Sequence, residues 1–186
     1  MAHDSQARSK LHPAWAGVVF AAVAWHGVNI CSRLGCDYLL SVCFVANLIL
    51  AAGILARSGL LIGIGYGWAL IALPLWAIES FRVGFVAPSS VALHATGIGL
   101  GFCASRRTLI PNGLVFAAVP VGLLALLLAR LLTRPEFNIN TAFRVQEGWT
   151  GLFPDHRVYL LVQLAVYAAI FYCIPRVSNR FVCGGG

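Results

Sequence analysis

Long apolar runs broken by short polar stretches dominate this chain. A helix needs about 20 apolar residues to cross a hydrocarbon core. Six runs, spanning roughly 14–31, 38–56, 60–78, 90–105, 114–132 and 159–174, approach that length. The second, third and fifth are the strongest. The fourth and sixth are short, and fit a bilayer by tilting or by local thinning. The pattern predicts an all-α, polytopic membrane bundle of about six transmembrane helices. These form a single domain over 14–175, with a polar loop at 133–158, an N-terminal segment at 1–13 and a tail at 176–186.

Composition agrees with the pattern: 60% of the 186 residues are hydrophobic and 10% are charged, which excludes an ordinary soluble domain. The formal net charge of +7 does not indicate a nucleic-acid partner. Its arginines fall singly or in pairs between apolar runs, without a basic stripe or an aromatic stacking platform. They read instead as charges flanking membrane helices.

An even number of spans puts both termini on one face, here called face A. Face A receives Arg8, Lys10, Arg57, Arg106, Arg107, Arg176 and Arg180. Face B receives Arg33, Arg82, Arg130, Arg134, Arg144 and Arg157, several of them in the one long loop. With that loop set aside, the short connections make face A cytoplasmic, together with both termini. The acids Asp37, Glu79, Glu136, Glu147 and Asp155 all fall on face B, so polar chemistry is expected at the exoplasmic end.

Cys36 and Asp37 precede the second span on face B, and His94 lies a turn inside the fourth, which begins on the same face. A thiol becomes a strong nucleophile as the thiolate, and an imidazole can take its proton and later protonate a leaving group. Cys36 and His94 are therefore candidate catalytic residues for acyl transfer. Asp37 or Glu79 would orient the ring, and Asn138, Asn140 or backbone N–H groups would steady an oxyanion. Asp155, His156 and Arg157 are candidates for meeting lipid headgroups, with Arg144 as a phosphate fork.

Four stretches, "GCDYLLSVCFVANLILAAG", "YGWALIALPLWAIE", "SSVALHATGIGLG" and "FNINTAFR...GLFPDHRVYLLVQLAVYAAIFYCIP", resemble the YwaF and transmembrane protein 164 group of integral membrane proteins. The likeness covers roughly residues 36–175. Where that group opens a helix with His-Leu-Cys-Asp, this chain reads "RLGCD". The resemblance implies cysteine-dependent transfer of fatty acyl chains between phospholipids through an acyl-enzyme. Cys36 would be the nucleophile and His94 the general base and acid. Membrane lipids would be the substrates; from the polar loop itself, Asn138, Asn140, Arg144 and His156 are the candidates to contact them, and with donor and acceptor already in the bilayer no soluble cofactor is expected.

Other readings stay open. Cys31 and Cys36 are close enough in sequence to form a disulfide in an oxidising compartment, which would suit a thiol oxidoreductase. Cys36, His94 and His156 could hold a metal, although no ligand-spacing motif supports it. Gly59, Gly63 and Gly67, and likewise Gly97 and Gly101, recur every four residues and allow close helix approach. That spacing serves packing within the chain or a homo-oligomer seam. The leading alternative to an enzyme is therefore a non-catalytic assembly subunit of a larger membrane complex.

Overall fold

The computed structural model describes residues 11–183. Six α-helices carry the fold: α1 (Ala14–Arg33), α2 (Val42–Ala56), α3 (Gly59–Val83), α4 (Pro88–Ser105), α5 (Leu114–Leu132) and α6 (His156–Cys183). Short 3-10 turns occupy the connections at Cys36–Leu40, Pro135–Phe137, Ile139–Thr141 and Glu147–Trp149, and no strand occurs among the described residues. The chain is thus an all-helical membrane bundle in which α1, α3, α5 and α6 are long and apolar enough to cross a bilayer.

The two remaining helices are weaker spans. With 15 residues, α2 is about 22 Å long, short of a core about 30 Å thick. The 18-residue α4 carries Ser89, Ser90, His94 and Thr96 in its first half.

Contacts between connections show that all six helices run between the same two ends. At one end Asp37 meets Arg134, Gln146 meets Glu79, and Glu147 meets Arg82. At the other, the Arg107 guanidinium lies over Trp15, Arg106 lies over Phe181, and Asn179 bonds the backbone of Ile110. These ends are the expected faces B and A.

Helix contact relies on missing side chains. A Cβ on Gly53 would meet the Ile62 nitrogen at 2.7 Å, and one on Gly65 would meet the Ala46 carbonyl oxygen at 2.7 Å, so α2 and α3 touch almost backbone to backbone. Gly63 faces Ile110 and Leu114, Gly67 faces Phe171 and Ile174, Gly97 faces Asn47, and Gly101 faces Tyr66. The four-residue glycine spacing is therefore occupied by partners inside this chain.

Two large apolar clusters result, beside a smaller one of Ala129, Ile139 and Ala142 beneath the polar loop. One joins α1, α2 and α4 around Val19, Leu50 and Leu93; the other joins α3, α5 and α6 around Trp68, Leu114 and Phe171. Large exposed apolar side chains such as Val28, Phe116, Leu131 and Leu161 coat the outside, a surface suited to lipid.

Several boundaries differ from expectation. The second helix begins at Val42, because Cys36–Leu40 forms a 3-10 turn and Ser41 is extended at the helix entrance. The last helix does not stop at Pro175. It continues to Cys183, with Pro175 buried inside it, and takes in most of the expected tail. Pro74 and Pro120 also lie inside continuous helices. Cys103 and Cys173 are exposed on the outer surface. Residues 1–10 and 184–186 lie outside the described residues.

Candidate functional site

Beneath the polar loop, a cavity of about 630 Å3 is enclosed by the start of α2, one side of α3, His94 of α4, and the facing sides of α5 and α6. Its walls are mostly hydrocarbon and indole: Trp68, Ala72, Leu75 and Trp76 from α3, Leu126 from α5, and Leu160 and Leu164 from α6. Leu123 and Leu161, on its lining, are also exposed on the outside of the bundle, where lipid lies. The polar lining residues Glu79, Asn138, Gln146 and Arg157 come from the face B end. An apolar chamber with one polar end matches an amphiphile's shape and polarity.

His94 is the most constrained polar group on this wall. It is 4% exposed, and Trp76 stacks on it with ring centroids 4.4 Å apart and planes 18° from parallel. Trp76 is itself fixed by donating its indole N–H to Ser90 Oγ at 2.8 Å. His94 Nδ1 lies 2.9 Å from the Ser90 carbonyl oxygen. A carbonyl can only accept, so Nδ1 carries the proton and Nε2 has the lone pair. Nε2 is buried and has no hydrogen-bond partner among the described residues. A neutral imidazole with a free basic nitrogen in an apolar wall is arranged to accept a proton.

Cys43 lines the same cavity. It is a free cysteine in the first turn of α2, with Ser41 Oγ 3.1 Å from its sulfur. Gln163 of α6 also lines the chamber. Its side-chain oxygen accepts from Thr141 Oγ1 at 3.2 Å, while its amide N–H groups make no other bond among the described residues.

The remaining sequence candidates sit differently from expectation. Cys36 is joined to Cys31 in a disulfide between the end of α1 and the following turn, so it has no free thiol and does not line the cavity with His94. Asp37 accepts from the backbone N–H and guanidinium of Arg134 at 3.2 and 3.1 Å, which hold its carboxyl below the usual range; it does not orient His94. Glu79 is bonded by Arg82 and Gln146 and, like Asp37, does not orient His94.

The two asparagines on the lining are staples. Asn140 accepts from Val42 N–H at 2.7 Å and donates to the Leu40 carbonyl at 2.8 Å. Asn138 accepts from the N–H groups of Phe143 and Arg144 and donates to the Arg144 carbonyl. Asn140 also reaches the Ala125 carbonyl at 3.5 Å, so both of its amide N–H groups are directed at backbone, whereas Asn138 donates only the one bond. Arg144 donates to the Glu136 carbonyl, and His156 donates from Nε2 to the Thr141 carbonyl; both brace the loop and neither lines the chamber.

His26 of α1 has its Nδ1 3.2 Å from Ser89 Oγ of α4, whereas Asn29 bonds the Trp25 carbonyl of its own helix. Cys36, His94 and His156 are not gathered, and no group of three metal-binding side chains is present among the described residues.

Sequence reasoning passed over Cys43 and Gln163. Both sit in apolar helical stretches where period alone marks them as filler. The available signal was that each lies a turn or two inside the face B end of its helix, level with the His94 side of α4.

Fold and cavity together define a membrane helical bundle with a mostly apolar chamber near one end. Comparison with protein-family models, curated proteins and solved structures finds no match.

Proposed function

We propose that this chain is a membrane-embedded, cysteine-dependent acyltransferase or hydrolase acting on phospholipid acyl chains, with Cys43 rather than Cys36 as its thiol. The observation that carries this reading is that His94, whose buried Nε2 has no partner among the described residues, and the free cysteine Cys43 line the same apolar chamber.

In this scheme an acyl chain lies among Leu75, Leu126 and Leu164, with its ester near the polar end. His94 Nε2 takes the Cys43 proton as the sulfur attacks the ester carbon. The ester C–O bond then breaks, and the lyso-lipid oxygen leaves with that proton. Water or an acceptor lyso-lipid next attacks the thioester, giving its proton to Nε2, which returns it to sulfur. Gln163 lines the chamber and its amide N–H groups make no bond among the described residues, so it is a candidate donor to the developing oxyanion. The Cys31–Cys36 disulfide supports an oxidising, exoplasmic setting for face B and cytoplasmic termini.

The test is to incubate the purified chain in nanodiscs with phosphatidylcholine carrying a labelled acyl chain, then measure hydroxylamine-sensitive label on protein. Wild type and Cys36→Ala should both be labelled, and Cys43→Ala should be blank. His94→Gln should label about 10²- to 10⁴-fold more slowly, the usual contribution of a general base. Label that survives in Cys43→Ala, or no label on folded wild type, would defeat the proposal.

A further inference from the structure

At the face A end a second cavity, of about 360 Å3, lies between α4 and α6 against α3. Leu70 of α3 and Ile170 and Ile174 of α6 supply apolar wall, and Arg106 stands at the end of α4. The Arg106 guanidinium carbon lies 4.6 Å from the centroid of the Phe181 ring and 5.4 Å from that of Phe102. Two rings from two helices thus hold the cation at the mouth of a hydrocarbon groove.

Among the described residues, the charge it holds has no counterpart on this face. The three ion pairs among the described residues all lie at the face B end, through Asp37, Glu79 and Glu147. The other described carboxylates, Glu136 and Asp155, belong to the face B loop. Face A presents Arg57, Arg106, Arg107, Arg176 and Arg180 with no described carboxylate among them. The Arg106 side chain donates no hydrogen bond to a described residue, so its planar fork is free for an external acceptor. The apolar wall lies along α3 and α6, which are long and apolar enough to span a bilayer, and the fork stands at the face A end of α4, the order in which a phospholipid presents acyl chain and phosphate.

We infer that this groove binds one membrane phospholipid with an anionic headgroup, its phosphate on Arg106 and one acyl chain between α4 and α6. Zwitterionic lipid offers the same chain but brings its own cation, so it competes poorly for Arg106. The inference rests on face A alone and is independent of the acyl-transfer reading.

Native mass spectrometry of the detergent-purified full chain tests it. The chain is titrated separately with dioleoyl phosphatidylglycerol, dioleoyl phosphatidylcholine and inorganic phosphate. Wild type should retain one phosphatidylglycerol at least about tenfold more tightly than phosphatidylcholine, the scale of one charge-assisted contact. It should retain no inorganic phosphate. Arg106→Gln should erase the preference, and Arg57→Gln, outside the groove, should keep it. Cys173→Trp, which fills the groove from its exposed lipid side, should expel the bound lipid while leaving Arg106 in place; it serves if Arg106→Gln does not fold. Equal retention of the two lipids, retention of phosphate alone, or an equal effect of Arg57→Gln would overturn the inference.

Discussion

At the scale of single residues, the polar side chains in this bundle divide into those whose hydrogen bonds are spent on the backbone and those left free. Asn140 is the strongest example of the first kind. Val42 N–H is among the orphan donors at the start of α2, and within a membrane an unmet donor is costly. Asn140 Oδ1 meets it, its Nδ2 meets Leu40, and its own backbone has φ of 54°, in the left-handed region that asparagine tolerates better than most residues. Asn140→Ala should therefore destabilise the folded chain by about 2–4 kcal/mol, from two lost bonds and a less suitable backbone residue. Asn140→Asp keeps the acceptor for Val42 and should lose about half as much, before any cost of burying charge. Thermal unfolding in detergent checks both, and equal stability of the alanine variant would remove the staple from this account. The sequence shows two asparagines two apart in a polar loop, but a left-handed backbone and a partner 98 residues away are products of tertiary docking. Function and stapling look alike at that level. His94 was legible because an ionisable ring inside an apolar run is conspicuous, whereas Cys43 was not, because a lone cysteine there resembles packing.

At the scale of helices, hydropathy located all six elements and placed α5 at its observed bounds, since both ends of that apolar run meet polar residues. It failed where the deciding force was not local apolarity. A buried Pro175 reads as a stop signal, yet α6 passes through it because Asn179 bonds both backbone groups of Ile110 and anchors the last turns. The start of α2 was blurred because Tyr38 and Leu40 are apolar enough to continue a helix, while in the fold they pack beneath Ile139 and Ala142 of the loop. Glycine spacing was readable as close packing, but its partners were not. A methyl on Gly67 would overlap the Phe171 ring and come within 2.8 Å of Ile174. Phe171 is fully buried and has nowhere to move. Gly67→Ala should cost about 1–3 kcal/mol through overpacking of α3 against α6. Gly99→Ala, on α4 with nothing within 4 Å, should be neutral or stabilising by up to about 1 kcal/mol from helix propensity. Comparable denaturation midpoints for the two variants would contradict the packing described for α3.

At the scale of the whole molecule, the question is how a bundle with two weak spans sits in a bilayer. The 15-residue α2 cannot reach across the hydrocarbon core, so its entrance at Val42 lies below the lipid surface unless the bilayer thins. The loop from α5 to α6 covers that entrance: Phe137, Ile139, Ala142 and Phe143 pack against Tyr38, Leu40 and Ala129, and Asn140 bonds the exposed helix end. Irregular backbone at membrane depth is tolerable when it is enclosed by protein in this way. The same plug roofs the His94 chamber, which explains how a polar end and a hydrocarbon interior can share one cavity. This arrangement requires α4 to run the full distance, because its start contacts α1 near face B through His26 and Ser89 while the arginines at its end meet Trp15 and Phe181. Short epitope tags inserted at Gly84, Gly113 and Gly151 distinguish the possibilities: all three glycines are exposed, a Cβ on Gly84 or Gly151 would meet nothing within 4 Å, and one on Gly113 would meet only the exposed Phe116 ring at 3.8 Å. In sealed vesicles, the Gly84 and Gly151 tags should be accessible from one side, and the Gly113 tag and a C-terminal tag from the other. If Gly84 and Gly113 report from the same side, α4 does not cross, the chamber's wall is a re-entrant helix, and the assignment of Arg106 to the opposite lipid face from His94 fails with it.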